Sequence, residues 1–206
     1  MRLKVPSPKA GSSKRDSKHM SEASLSSGNA AVFLDRDGVL IEDCGYLSDV
    51  AGVKIIPGVP KALRRLVEAG FVLFIVTNQS GIGRGYYTEA DMHAIHRHLE
   101  EVLAAEGVEF REIYFAPEAP EQPSRGRKPS PQFLFDARDA FAIDLSRSFM
   151  VGDKFSDLEC GWNAGVKCSI LVRTGQGTKT ERERANSLRN ALVVKDLPEA
   201  VDILIK

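Results

Sequence analysis

Asp35 and Asp37 stand one residue apart where the apolar run of "AVFLDRDGVL" (31–40) ends, with Arg36 between them and Gly38 behind. Asp and Gly suit a simple turn, and an Asp at a strand end is commonly no more than that. Three further polar clusters change the weight of this one: "TNQSG" (77–81), "RGRKPSP" (125–131) and "GDKFSD" (152–157). Taken singly, each has a plain explanation. "GD" before a helix is an N-cap arrangement, Thr77 and Asn78 can close a strand by local hydrogen bonds, and a Lys-Pro pair is a loop. Taken together they supply what phosphoryl transfer needs: an in-line nucleophile, cations or a metal for the phosphoryl oxygens, and an acid for the leaving oxygen. A carboxylate serves as such a nucleophile by forming an acyl phosphate. Asp35 is placed for that role, and Asp37 for protonating the leaving oxygen and then activating water. Gly38 lets the backbone turn sharply beside the phosphate. Asp153 adds a carboxylate for Mg²⁺, Thr77 a hydroxyl, and Lys128 a point charge for the phosphoryl oxygens.

Bringing these clusters to one place requires a particular fold. Apolar runs at 31–34, 71–76, 112–115, 148–151, 168–172 and 191–194 read as strands. They alternate with helical patterns near 59–69, 88–106, 131–141, 155–163, 179–188 and 197–205. On the second of these, Met92, Ile95, Leu99, Val102 and Leu103 mark one apolar face. Ser130 before Pro131 reads as a cap followed by a first-turn proline, and "DLP" (196–198) reads the same way. The alternation predicts an α/β fold, a doubly wound parallel sheet with helices on both faces. In such sheets ligands bind beyond the carboxyl ends of the strands, which is where the polar clusters fall. No interval has room for a second domain, so the site is expected to lack a separate cap.

Bulk composition narrows the partners. A content of 43% hydrophobic and 27% charged residues is that of a globular domain with a sizeable core. Lys plus Arg and Asp plus Glu balance at 28 each, which gives a nucleic acid or a membrane surface no bulk attraction. The longest apolar runs, such as "FVLFIV" (71–76), are strand-sized against the roughly 20 residues of a membrane span. Cys44, Cys160 and Cys168 are odd in number and lack CxxC spacing, so a reduced, cytoplasmic compartment is expected. Residues 1–29 differ from the rest. They are rich in Ser, Lys, Gly, Ala and Pro, have no apolar period and no secretory h-region, and read as a disordered basic extension. Residues 30–206 are then the folded domain.

The order DxDG, TN, K and GDxxxD is similar to that of the haloacid dehalogenase-like phosphohydrolases. Within them, "FLDRDGVLIEDCGYL", "VTNQSGIGRGYYTE", "RKPSP" and "VGDKFSD" resemble the D-glycero-D-manno-heptose-1,7-bisphosphate 7-phosphatases, with histidinol-phosphate phosphatases as near relatives. The match runs from Val32 to about Gly175. Carried over position by position, the resemblance implies Asp35 as nucleophile and Asp37 as proton donor. It implies Mg²⁺ on Asp35, the backbone carbonyl of Asp37, and Asp153. Thr77 and Lys128 would stabilise the phosphoryl group, and Arg127 would help recognise the substrate. Asp43, Cys44, Gly45 and Tyr46 fall in the family's first substrate loop, and Asn78, Gln79 and Ser80 in its second. Lys154 matches a further substrate contact, and Asp157 supports the site rather than binding the metal.

One departure stands out. Many relatives close a structural zinc site with Cys-x-His and Cys-x-Cys pairs, but here the stretch is "FAPEAPEQPSRGRK" (115–128). Ala116, Glu118, Ser124 and Gly126 occupy the ligand positions, and they cannot supply a thiolate and imidazole set. No zinc is expected, and prolines with local packing are expected to hold the loop. His93, His96 and His98 on one helix read as a solvated face rather than a metal site, and "GIGRG" (81–85) lacks a nucleotide-loop frame. The reading is a cytoplasmic, monomeric, Mg²⁺-dependent phosphatase acting on a small sugar bisphosphate, heptose 1,7-bisphosphate at C7, with neither nucleic acid nor membrane as partner. The rival substrates are histidinol phosphate or another small phosphomonoester. A rival of another class is a phosphosugar-binding module with weak catalysis, against which the full set Asp35, Asp37, Lys128 and Asp153 speaks.

Overall fold

The computed structural model describes residues 28–206. Most of the basic extension expected over 1–29 lies outside the described residues. Contacts with the domain begin two residues before the expected boundary. The Asn29 N–H donates to the Ala142 carbonyl at 3.1 Å, and its own carbonyl accepts from the Asp144 N–H at 3.0 Å. Arg147 donates to the Gly28 carbonyl at 3.2 Å.

Six strands form one parallel sheet: β1 (Ala31–Leu34), β2 (Val72–Asn78), β3 (Glu112–Ala116), β4 (Phe149–Gly152), β5 (Cys168–Val172) and β6 (Leu192–Val194). Their order is β3-β2-β1-β4-β5-β6. Strand β1 therefore lies between β2 and β4, where the winding reverses direction, and a crevice opens at such a switch point. Side chains along β1 alternate between the two faces. Val32 and Leu34 join the core formed with α1 (Val59–Glu68), α3 (Glu89–Ala104) and α7 (Leu197–Leu204), while Ala31 and Phe33 face α4 (Gln132–Phe141) and α5 (Phe155–Ala164). Helices thus cover both faces, as the alternating pattern requires. Among the described residues no helix is long and apolar enough to cross a membrane.

Local chemistry sets several boundaries. Helix α3 starts at a capping box in which the Thr88 hydroxyl accepts from the Asp91 N–H at 3.2 Å and the Asp91 carboxylate accepts from the Thr88 N–H at 2.8 Å. Helix α7 is capped by Asp196, which accepts from the Glu199 N–H at 3.0 Å. The expected Ser130 cap is shifted. Pro131 takes the N-cap position and α4 begins at Gln132, whose N–H reaches the Ser130 hydroxyl at 3.3 Å. Strand β2 runs two residues past the expected end, because Thr77 and Asn78 pair with Phe115 and Ala116 of β3. A four-residue helix α2 (Ser80–Gly83) follows, too short for its sequence to show a period. Helix α6 (Gly177–Arg184) begins two residues earlier than expected and gives way to a 3₁₀ turn at Ala185–Ser187.

Candidate active site

The site lies at the carboxyl ends of β1, β2 and β4. The Asp35 N–H continues the ladder by donating to the Val151 carbonyl at 2.9 Å, which fixes this residue just beyond the last strand position. Its Oδ1 accepts from the Arg36 N–H at 2.8 Å and lies 2.9 Å from Lys128 Nζ. Both interactions fall on Oδ1 and leave Oδ2 to the crevice. Gly38 follows with φ of 84°, and Gly175 comes close to it with φ of 55°. A Cβ on either glycine would run into the Asp153 carboxylate, so the two form the walls around that group.

Asp153 directly follows β4 and is fully buried. Its Oδ2 accepts from the Gln176 N–H at 2.7 Å, while its Oδ1 has no hydrogen-bond donor. Burial, then the neighbouring Asp35 charge, pushes its pKa up to about 8, against the opposing pull of Lys154. Carboxylate oxygens of Asp35, Asp153 and Asp157 lie within 4.8 Å of one another. Three buried carboxylates so close repel one another unless cations intervene. Lys128 is the buried cation provided. Its Nζ lies 2.7 Å from Asp157 Oδ1 and 2.9 Å from Asp35 Oδ1, and it donates to the Val76 carbonyl at 2.7 Å. Burial alone would favour loss of its proton, but the two carboxylates outweigh burial and raise its pKa. In Asp35 the balance also favours charge: burial opposes ionisation, yet Lys128 and Lys154 bring its pKa below the usual carboxylate value. Asp157 is spent between Lys128 and the start of α5, where its Oδ2 accepts from the Lys154 N–H at 2.9 Å.

Asp37 is held by its neighbours. Arg36, 1% exposed, donates from Nε to Asp37 Oδ2 and from Nη2 to Oδ1, both at 3.1 Å. Gln79 Nε2 donates to Asp37 Oδ2 at 3.1 Å and to the Thr77 hydroxyl at 2.8 Å. Asn78 clasps the backbone of Lys128, donating to its carbonyl at 3.2 Å and accepting from its N–H at 3.0 Å. Asn78 and Gln79, expected in a substrate loop, therefore use their amides within the protein. A cleft of about 300 Å³ is lined by Asp37, Asp43, Tyr46, Asn78, Ser80 and Lys154, among others. Lys154 Nζ spans Asp43 at 3.5 Å and Asp153 at 3.8 Å. Gly45 donates to the Asp43 carboxylate at 3.0 Å in the tight turn that carries exposed Cys44 and half-exposed Tyr46. A roomier hollow of about 390 Å³ among Val67, Phe71, Leu73, Phe110 and Arg111 lies at the opposite, amino-terminal side of β2, away from these carboxylates.

The loop expected to rely on prolines and packing is instead tied by polar bonds. The Ser124 hydroxyl donates to Glu118 at 2.7 Å and accepts from the Arg127 N–H at 3.1 Å, and Arg127 Nη1 donates to the Glu118 carbonyl at 3.0 Å. Glu118 and Ser124, two of the positions given to zinc ligands in relatives, thus bond directly to each other. Burial, then the nearby Arg84 charge, lowers the Arg127 pKa. The histidine reading also needs correction. His93 is exposed and 3.5 Å from Glu89, but His96 is buried, with Nε2 3.1 Å from Arg36 Nη1. The signal was present, since Met92, His96, Leu99 and Leu103 share one helical face. Arg36 and Tyr87 carry no such signal, because an arginine in a turn and an aromatic before a helix announce no function on their own.

A parallel sheet whose switch point gathers Asp35, Asp37 and Asp153 about a buried lysine is the framework of a phosphohydrolase of the haloacid dehalogenase type. A family model described as HAD-hydrolase-like matches residues 126–200. The curated D-glycero-beta-D-manno-heptose-1,7-bisphosphate 7-phosphatase of Escherichia coli K12 is 40% identical over 179 residues, spanning 83% of this chain and 93% of that one. The D-glycero-D-manno-heptose-1,7-bisphosphate 7-phosphatase of Thermosynechococcus vestitus is 40% identical over 185 residues, 84% of this chain and 93% of that one. A crystal structure of D,D-heptose 1,7-bisphosphate phosphatase from B. bronchiseptica, complexed with magnesium and phosphate, superposes with a TM-score of 0.80 at 31% identity, covering 85% of this chain and 98% of that one. The chain belongs to the heptose-1,7-bisphosphate 7-phosphatase family of HAD-like hydrolases.

Proposed function

We propose that this enzyme removes the 7-phosphate of D-glycero-D-manno-heptose 1,7-bisphosphate through an aspartyl phosphate on Asp35. The observation that carries the reading is the Asp35 carboxylate, ionised beside buried Lys128 and within reach of the unpartnered Asp153 Oδ1. Asp35 Oδ2 attacks phosphorus, the bond from phosphorus to the sugar oxygen breaks with its electron pair on that oxygen, and Asp37 supplies the proton. In the second half Asp37 takes a proton from water, the water oxygen attacks phosphorus, and Asp35 departs as carboxylate with release of phosphate. Lys128 lowers the cost of charge on the phosphoryl oxygens, and Thr77 lies one strand away at the same level.

The donor set fits Mg²⁺: Asp35 and Asp153 offer hard carboxylate oxygens, and Asp153 Oδ1 is buried without a donor. With the Asp37 carbonyl, these residues would hold the ion, which when bound neutralises phosphoryl charge. We assign no zinc, because Glu118, Ser124 and Arg127 close the loop by hydrogen bonds. Arg127, Lys154 and the Asp43–Tyr46 turn are the proposed contacts to the rest of the sugar bisphosphate. The three free cysteines support a reduced, cytoplasmic compartment, and the balanced charge supports neither nucleic acid nor membrane as partner; a monomer is part of the same proposal. Phosphate release across heptose 1,7-bisphosphate, other sugar bisphosphates, histidinol phosphate and nucleotides tests this. The heptose substrate should give the highest kcat/KM with Mg²⁺. Preference for histidinol phosphate would overturn the substrate, and no turnover of any phosphomonoester would leave only a binding module.

A further inference from the structure

Asp37 belongs to a buried network that reaches well beyond the crevice. Arg36 Nη1 lies 3.1 Å from His96 Nε2 on α3, and Arg36 Nη2 donates to Gln79 Oε1 at 3.0 Å. The Tyr87 hydroxyl donates to the same Gln79 Oε1 at 2.6 Å. Arg36, Gln79 and His96 are nearly inaccessible and Tyr87 is 9% exposed, so solvent does not compete for these bonds. Donor and acceptor roles follow from chemistry. A guanidinium only donates, so His96 Nε2 must accept and the ring proton sits on Nδ1. The same argument makes the Gln79 oxygen, not its nitrogen, the atom facing Arg36 and Tyr87. Gln79 Nε2 is then left to donate to Asp37 and Thr77, as observed.

We propose that His96 and Tyr87 are positioning residues that act through Arg36 and Gln79 to fix the Asp37 carboxylate for proton transfer. This rests on Asp37 as the acid and base of the proposed reaction. Asp37 follows a strand end on a turn and has two freely rotating side-chain bonds, whereas a general acid must come within hydrogen-bond reach of the leaving oxygen. Arg36 and Gln79 supply the N–H donors that remove this freedom, but each has a flexible side chain of its own. His96 anchors the first arm and Tyr87 the second. Both anchors keep their roles across the working pH range. Burial, then the Arg36 charge, pushes the His96 pKa down to about 3, so the ring remains a neutral acceptor. Burial raises the pKa of the Tyr87 phenol, so it remains a donor.

The test compares kcat/KM for heptose 1,7-bisphosphate with kcat/KM for 4-nitrophenyl phosphate at saturating Mg²⁺. A sugar alkoxide needs a proton to leave and 4-nitrophenolate does not, so the ratio of the two reports the acid. Since a placed general acid contributes about 10²–10⁴-fold, partial misplacement in His96→Leu should lower the ratio by roughly tenfold. His96→Gln, which offers an oxygen near the Nε2 position, should restore it to within about threefold of wild type. Tyr87→Phe should lower the ratio by roughly threefold while the fold, checked by circular dichroism, is retained. Equal losses on both substrates, or an unchanged ratio in His96→Leu and Tyr87→Phe, would overturn the proposal. If His96→Leu does not fold, the Tyr87→Phe ratio decides alone, a fall supporting the proposal and no change sinking it. Asp37→Asn run alongside separates the failures: an unchanged ratio there removes Asp37 as acid, whereas a fall there alone removes only the anchors.

Discussion

Replacing Lys128 by Met keeps much of the side-chain volume and removes the charge that two buried carboxylates, Asp35 and Asp157, share. Lys128 Nζ lies 2.9 Å from Asp35 and 2.7 Å from Asp157. At an effective dielectric of about 20, each attraction is gross about 6 kcal/mol, before the desolvation of the three groups is subtracted. Breaking a buried pair from one side leaves an uncompensated charge and costs about 3–5 kcal/mol net. That is a large share of a domain stability of about 5–15 kcal/mol. Lys128→Met should therefore be destabilised by about 3–5 kcal/mol near pH 7 in EDTA. The pH dependence has a definite sign. The Lys128 pKa is raised in the fold, so its charge is in place at any pH below its unfolded value of 10.5. The Asp35 pKa is lowered, so its share is present above the unfolded value of 3.8 and is lost as pH falls through the folded value. The gap between wild type and variant should accordingly narrow on acidification. Mg²⁺, held as proposed by Asp35 and Asp153, should also narrow it, because carboxylates that have lost the Lys128 charge bind the cation more tightly and the variant gains more from it than wild type does. Urea denaturation followed by the fluorescence of the single tryptophan, Trp162, measures all three conditions. A loss below about 1 kcal/mol in EDTA near neutrality, or one that persists unchanged in acid, would refute the account of Lys128 as the counter-ion.

Asp35→Asn should abolish turnover with the fold retained, since the amide cannot attack phosphorus; burst and steady-state phosphate release would check it, and near-wild-type kcat would remove Asp35 as nucleophile. The raised Asp153 pKa of about 8 means that Mg²⁺ must displace a proton at lower pH. Mg²⁺ affinity, measured by calorimetry, should rise with pH by up to about tenfold per unit and level off above that value, and a flat profile would contradict it. By the same linkage, the metal-free protein should lose stability as pH rises from the unfolded Asp value of 3.8 toward about 8, readable in thermal melts in EDTA. Arg127→Ala should lower kcat/KM for heptose bisphosphate by roughly ten- to a hundredfold, the equivalent of about 1.5–3 kcal/mol for a charge-assisted bond. The loss on 4-nitrophenyl phosphate should be much smaller, and equal losses would place Arg127 at the reacting phosphate instead.

Period and punctuation in the sequence were enough to settle the six strands and all the longer helices, because each of these elements buries an apolar face whose spacing is local. The same holds for Asp35, Asp37 and Asp153: strand ends in a parallel sheet must converge, so residues placed there must meet, whereas Lys128 lies in the loop beyond β3 and is brought in by the Asn78 clasp on its backbone. What spacing cannot contain is which polar side chains then spend their bonds on one another. Asn78 and Gln79 follow a strand as substrate residues would, yet the fold turns their amides onto Lys128 and onto Asp37 and Thr77. Helix α2 forms because the loop packs at Pro117, whose carbonyl accepts from the Gly83 N–H at 2.8 Å, and its four residues are too few to show a period. His96 lies on the apolar face of α3, and its buried ring nitrogen finds a polar partner because Arg36, distant by 60 positions, comes to meet it. The sequence by itself determined the fold and brought together the carboxylates proposed to carry the chemistry. Only the tertiary structure decided how those carboxylates are held, because the donors come from separate segments and a buried polar group must find its partner wherever the chain brings one.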